Sequence, residues 1–208
     1  MKNFQVLPAF WLRPGDAEGG DTHNANCHKG SKAINTVDTY NYLFAKTVIL
    51  GCPGVGEDPC FTFNSSVTVA GELPEYDYAQ VEGPTGYHTE DFNISSSLDV
   101  TTGHLVDYNS SLPLVFSTWD LQHAFGIWAP PGQFTDYPLQ YAVFHFPENV
   151  RSFADKTNKW SVVWKKNFLP PNTGPWELNY TVFVCVGTQQ DAAECLMKLV
   201  TYHDHRYR

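Results

Sequence analysis

Basic charge is scarce in this chain. Charged residues make up only 17 % of its 208, with 13 Lys and Arg against 22 Asp and Glu, a formal net charge of −9. A nucleic-acid partner requires a basic stripe that neutralises phosphates. Here basic residues meet only in short runs such as Lys165-Lys166, so no nucleic-acid partner is expected. Long apolar runs are missing too. No segment approaches the roughly 20 apolar residues of a membrane-spanning helix, and no membrane span is expected. The chain also lacks a G-x-S-x-G elbow, an H-E-x-x-H pair, a P-loop and a dinucleotide fingerprint. These are the short motifs by which serine hydrolases, zinc peptidases and nucleotide enzymes are read. No cofactor is expected.

What the chain does have is aromatic and turn-forming. Hydrophobic residues reach 42 % and aromatics 15 %, beside 15 Gly and 14 Pro. Rings and β-branched side chains fit a pleated, half-buried surface, and frequent Gly and Pro leave little room for long helices. Period-two patterns dominate. Strands are read at Phe4 to Leu12, Leu43 to Leu50, Ser66 to Ala70, Tyr78 to Glu82, Leu114 to Ser117, Ala124 to Trp128, Tyr141 to Phe146, Trp160 to Trp164 and Leu178 to Val186. In the last, Tyr180, Val182, Val184 and Val186 share one face, with Thr181, Phe183 and Cys185 on the other. Arg13 to Thr39 and Thr85 to Leu112 read as long loops. One helix is expected, about Gln189 to Tyr202. Thr188 and Asp191 form its N-terminal capping pair, and Ala192, Cys195, Leu196 and Leu199 recur at helical spacing toward a sheet edge. The fold these patterns predict is all-β: an antiparallel β sandwich of about nine to twelve strands with one C-terminal α-helix, in a single domain spanning 1–208.

There are 5 Cys, so one cannot pair internally. Cys52 and Cys60 flank the turn-rich stretch Pro53 to Pro59. Cys185 ends a strand and Cys195 lies in the expected helix. A bridge in each place would close a short loop, for a return on the order of 2–3 kcal/mol. Cys27 is left over, either free or linked to another chain in an oligomer. N-x-S/T triplets stand at Asn64, Asn93, Asn109 and Asn179. Together with the cysteines they predict a secreted, extracellular glycoprotein. Met1-Lys2-Asn3-Phe4 runs into a strand-like segment without an apolar signal core. The secretory reading therefore expects a leader already removed, or a chain cut from a longer one.

Several short motifs share an order with one known group. They are Ala9-Phe10-Trp11-Leu12-Arg13-Pro14-Gly15 with Gly19-Gly20 and Ala33-Ile34-Asn35, then Tyr78-Ala79-Gln80-Val81-Glu82 with Thr85-Gly86-Tyr87 and Phe92. Leu112-Pro113, Ser117-Thr118-Trp119-Asp120 and His123-Ala124-Phe125-Gly126-Ile127-Trp128 follow, then Lys159-Trp160 and Val184-Cys185-Val186-Gly187-Thr188. In these the chain resembles an uncharacterised, mostly bacterial family with a galactose-mutarotase-like β supersandwich. The resemblance implies a sheet concavity of the kind that holds sugars. It departs at His88-Thr89-Glu90, where the family tends to have Met-Pro-Pro, which implies an altered site.

Sugar recognition uses planar rings against C–H faces and carboxylates, amides or cations against hydroxyls. The candidate ligand-binding set is Trp11, Arg13, Gln80, Tyr87, Trp119, Asp120, Trp128, Lys159 and Trp160. The plainer reading of each Trp is core, its N–H simply partnered; Trp119 and Trp176, beside turns, are the rings expected to be exposed. Glu82 and His123 are the candidate acid–base pair for a glycan-active enzyme, an epimerase or hydrolase; the alternative is an inter-strand hydrogen bond. His23, Cys27 and His28, and His203-Asp204-His205, have spacings that metal sites use. Nothing in the sequence brings the two groups together, so no metal is expected and the terminal run reads as a solvated tail. The leading functional reading is a secreted glycan-binding module, the second the enzyme, the third a structural or interaction protein without a sugar site.

Overall fold

A computed structural model of the chain describes residues 3–6, 42–56, 58–69, 76–133, 139–146, 157–169 and 176–206. Strands β1 (Asn3–Val6), β2 (Tyr42–Leu50), β3 (Cys60–Val69), β4 (Tyr76–Thr89), β5 (Phe92–Asp99) and β6 (His104–Asp107) come first. Then follow β7 (Leu114–Thr118), β8 (Ala124–Trp128), β9 (Leu139–Phe146), β10 (Thr157–Leu169), β11 (Trp176–Gly187) and helix α1 (Gln189–Arg206). One sheet has eight strands in the order β1-β2-β3-β11-β8-β7-β5-β6, the other three in the order β4-β10-β9. Every strand pairing is antiparallel. The expected all-β sandwich with a C-terminal helix is the fold observed.

The alternation in β11 shows how the layers stack. Tyr180, Val182 and Val184 face the small sheet, where they meet Leu114, Phe116, Ile127, Tyr141, Trp160, Val162 and Trp164. Phe183 and Cys185 face the other way and join Leu98, Val115 and Trp128 against the helix residues Ala192, Cys195, Leu196 and Leu199. The large sheet is thus buried on both faces at its centre, and β7 is buried along its whole length. This is why neighbouring residues there are all apolar or small rather than alternating with polar ones.

The helix begins as expected. The Asp191 backbone N–H donates to Thr188 Oγ1 at 3.2 Å, and the Thr188 N–H donates back to Asp191 Oδ2 at 3.2 Å. Its position differs from the expected sheet edge: it lies over β7, β8 and β11, across the middle of the sheet face. Gly126 allows this approach, because a Cβ there would stand 2.8 Å from the Ala192 carbonyl oxygen. The helix also runs past Tyr202 to Arg206. The expected solvated tail is therefore its last turn, with the His203 ring 5.1 Å from Trp128 and 5.2 Å from Phe183.

The stretch Thr85 to Leu112 is not a long loop. It holds the end of β4 and all of β5 and β6. Its polar run Asn93-Ile94-Ser95-Ser96-Ser97 reads as loop-like, yet it pairs with β7 along one edge, and backbone pairing with an apolar neighbour overrides weak local preference. Both proposed disulfides are present, Cys52–Cys60 and Cys185–Cys195, with Cα atoms 5.6 Å and 6.1 Å apart. The Arg13 to Thr39 stretch, the His23, Cys27 and His28 group, Trp11 and Arg13 lie outside the described residues.

Candidate functional site

Tyr87, Lys159 and Phe144 are built into one row by strand register. Lys159 of β10 is opposite Tyr87 of β4 on one side and Phe144 of β9 on the other. Directly opposite side chains emerge on the same face of a sheet, here the outer face of the small sheet. The Lys159 ammonium lies 5.4 Å from the Tyr87 ring centre and 5.1 Å from that of Phe144, within cation–π range of both. The rings stay open to solvent all the same, Tyr87 at 53 % and Phe144 at 40 %. They stand two strand spacings apart, roughly 10 Å.

A third exposed ring comes to the same end of the molecule from the large sheet. The β4–β5 turn begins just past Thr89, the end of the strand that carries Tyr87, and the Trp119 backbone N–H donates to the Asp91 carbonyl in that turn at 3.1 Å. The Trp119 side chain is 69 % exposed. Its turn is held by Asp120, whose Oδ1 accepts the Thr118 hydroxyl at 2.6 Å and the Gln122 N–H at 3.1 Å. The Thr118 hydroxyl, first, and the Gln122 N–H hold the Asp120 carboxyl below the usual range. Leu121 sits at φ 63°, the left-handed conformation such a tight connection requires, and it too is exposed. His123 closes the turn, its N–H donating to Thr118 Oγ1 at 3.2 Å.

Beneath the row lies an aromatic floor. The Trp160 indole N–H donates to His88 Nε2 at 2.9 Å. The His88 ring is 4.7 Å from both Phe92 and Phe125, and burial lowers its pKa from 6.5. Beside it the Asn158 carboxamide donates to the Phe92 carbonyl and meets His145 Nδ1 at 2.7 Å. Trp160 is therefore core, in the manner of most buried Trp, but it is core directly under the exposed row.

The predicted residues thus divide by place. Tyr87, Trp119, Asp120 and Lys159 gather at one end, with Trp160 behind them. Trp128 lies on the opposite face of the large sheet, stacked with Phe183 at 5.8 Å. There it lines an open groove of about 940 Å³ together with Asn64, Gln133, Thr181 and His203. Gln80 is on β4 opposite Lys165, and Glu82 on the same strand opposite Val163; the side chains of both, and of Trp176, lie outside the described residues. Glu82 thus stands on a strand of the small sheet, whereas His123 lies in the β7–β8 turn of the large one.

Phe144 was not among the residues read as candidates. Its strand carries apolar residues on both faces, so alternation alone could not mark it as outward. Its only signal is register with Lys159, which requires the sheet.

The groove floor shows a different economy. β8 ends at Trp128, so Thr181 of β11 has lost its backbone neighbour. The Gln133 carboxamide takes that place: its oxygen accepts the Thr181 N–H, and its nitrogen donates to the Thr181 carbonyl at 2.9 Å. The Thr181 hydroxyl donates to Asn64 Oδ1 at 2.8 Å. Gln133 is a structural residue there.

Neither protein-family models nor curated proteins give any match to the chain.

Proposed function

We propose that the protein is a secreted glycan-binding module that stacks sugar rings on the exposed aromatic end formed by Tyr87, Phe144 and Trp119. The observation that carries this reading is the exposure of two large rings on either side of one lysine, with a third exposed ring, Trp119, on a turn bonded to the neighbouring β4–β5 turn. Exposed apolar surface that is contiguous rather than scattered marks contact sites in folded domains. Rings held on strands and a tight turn lose little freedom on binding. Lys159 and the acids Glu90 and Asp91, all beside these rings, supply partners for hydroxyls. The resemblance to mutarotase-like sandwiches supports the same ligand class, by fold analogy alone.

The extracellular assignment draws on two disulfides and on sequon positions: Asn93, Asn109 and Asn179 are exposed. Among the described residues no helix is long and apolar enough to cross a membrane.

A glycan array with the purified protein tests the reading. Tyr87→Ala and Trp119→Ala should each weaken binding to the recognised glycan about tenfold, the loss of roughly 1.4 kcal/mol. Both are surface changes, so unfolding midpoints should barely move. An array with no ligand, or one whose ligands bind both variants as well as the parent, overturns it. Release of reducing sugar or exchange of anomers by the parent would turn the reading to the enzyme.

A further inference from the structure

The two disulfides are not independent in space. The sulfurs of Cys60, Cys185 and Cys195 all lie within 4.8 Å of one another, and all three residues are buried in the helix-side core. Cys60 and Cys185 are register partners on β3 and β11. The Val186 N–H donates to the Pro59 carbonyl at 2.9 Å, which makes Val186 and Pro59 a hydrogen-bonded pair. Cys185 and Cys60, one step along, are then a non-hydrogen-bonded pair. Such pairs hold their Cα atoms about 4.5 Å apart, inside the window of about 4.4–6.8 Å that a disulfide spans. Cys60 can therefore be bridged by Cys52 or by Cys185 with no change of strand register.

We propose that the bridges form one exchange-coupled unit, in which reduction entering at the Cys52 loop is passed through Cys60 to the Cys185–Cys195 pair and frees helix α1 from the sheet. An external dithiol reduces Cys52–Cys60 and is itself oxidised to a disulfide, its two protons going to the Cys52 and Cys60 sulfurs. The Cys60 thiolate then attacks Cys185 Sγ. The Cys60–Cys185 bond forms, the Cys185–Cys195 bond breaks, and Cys195 leaves as the thiolate and takes up the proton that Cys60 gave up. The net product keeps one disulfide, now joining β3 to β11, with thiols at Cys52 and Cys195. Exchange depends on thiolate formation and on access of one sulfur to the other. The register supplies the access. The direction of entry follows from Cys52, which is 8 % exposed in a turn between the part-exposed residues Gly51 and Pro53, whereas Cys185 is completely covered.

The test is a disulfide map of the singly reduced protein. The full chain is treated with less than one equivalent of a dithiol, quenched in acid, alkylated and digested. The expected species carries alkyl groups on Cys52 and Cys195 and a Cys60–Cys185 crosslink. A singly reduced species alkylated on Cys52 and Cys60, with Cys185–Cys195 intact, overturns the proposal. A Cys27→Ser, Cys52→Ala double variant asks the same question without reductant. It keeps three clustered sulfurs, and the Cys60–Cys185 bond should appear beside Cys185–Cys195 in the disulfide map at equilibrium. Only Cys185–Cys195 in that folded variant also overturns the proposal.

Discussion

His88 is the residue whose state the structure fixes most tightly. An indole N–H can only donate, so the nitrogen it meets must be unprotonated, and His88 is a neutral imidazole in the fold. Burial lowers its pKa from 6.5. The unfolded chain therefore binds this proton more readily. Its contribution to stability is complete above about 6.5 and is lost as the pH falls through the lower folded value. Urea midpoints of the parent should fall with acidification in that window more than those of His88→Gln, which keeps an acceptor and does not titrate; parallel curves would remove His88 as the cause. Gly86 packs against the same pair, and a Cβ added there would stand 2.7 Å from His88 Nε2 and closer still to the Trp160 nitrogen. Gly86→Ala should destabilise by about 1–3 kcal/mol, the usual range for overpacking, in chemical denaturation.

Elements in this molecule end on side chains that stand in for missing backbone. Thr188 caps α1, and Thr188→Ala should cost about 1 kcal/mol, seen as a lower denaturation midpoint with an unchanged m-value. Gln133 extends the sheet past the end of β8 by holding both backbone groups of Thr181. Gln133→Ala leaves these two groups without that partner, and a loss of about 1–3 kcal/mol is expected, accompanied by faster amide exchange at Thr181. An unchanged exchange rate there would show that water replaces the carboxamide without loss. Tyr141 plays a similar part between the sheets: its hydroxyl accepts the Ala129 N–H at 2.9 Å, and burial pushes its pKa far up.

At the scale of the whole molecule, three layers share one central sheet, with the small sheet on one face and the helix on the other. The Cys185–Cys195 bridge joins the helix to that sheet. Replacing both cysteines by Ala should lower stability by about 2–3 kcal/mol through the freed loop, measured against the parent in guanidinium. The exposed aromatic end proposed to bind sugar is formed by the small sheet and the β7–β8 turn. A stability loss in that double variant with glycan binding through Tyr87 and Phe144 retained is the expected pattern, because those two rings sit on the layer away from the helix; the Trp119 turn is tied to the helix start, where the Gln189 N–H donates to the Leu121 carbonyl at 3.0 Å.

Alternation of side chains was enough to find most strands and, through Thr188 and Asp191, the start of the helix. These are local properties, set by the period of two, by turn residues and by capping chemistry, and they survive in a bare sequence. Cysteine spacing likewise marked both bridges. Where local preference is weak, as in the Ser-rich β5, only pairing with β7 made a strand. The candidate site was legible as separate residues: Tyr87, Trp119, Asp120 and Lys159 stood out by type. That Lys159 meets Tyr87 and Phe144, that the turn of Trp119 and Asp120 bonds to the turn beside them and that Trp128 lies elsewhere depend on register and on which face each strand turns outward. The same holds for the sulfurs. Two bridges could be proposed from spacing, but their contact through Cys60 and Cys185 exists only because β3 and β11 are neighbours, a pairing between strands far apart in the chain that no local pattern encodes.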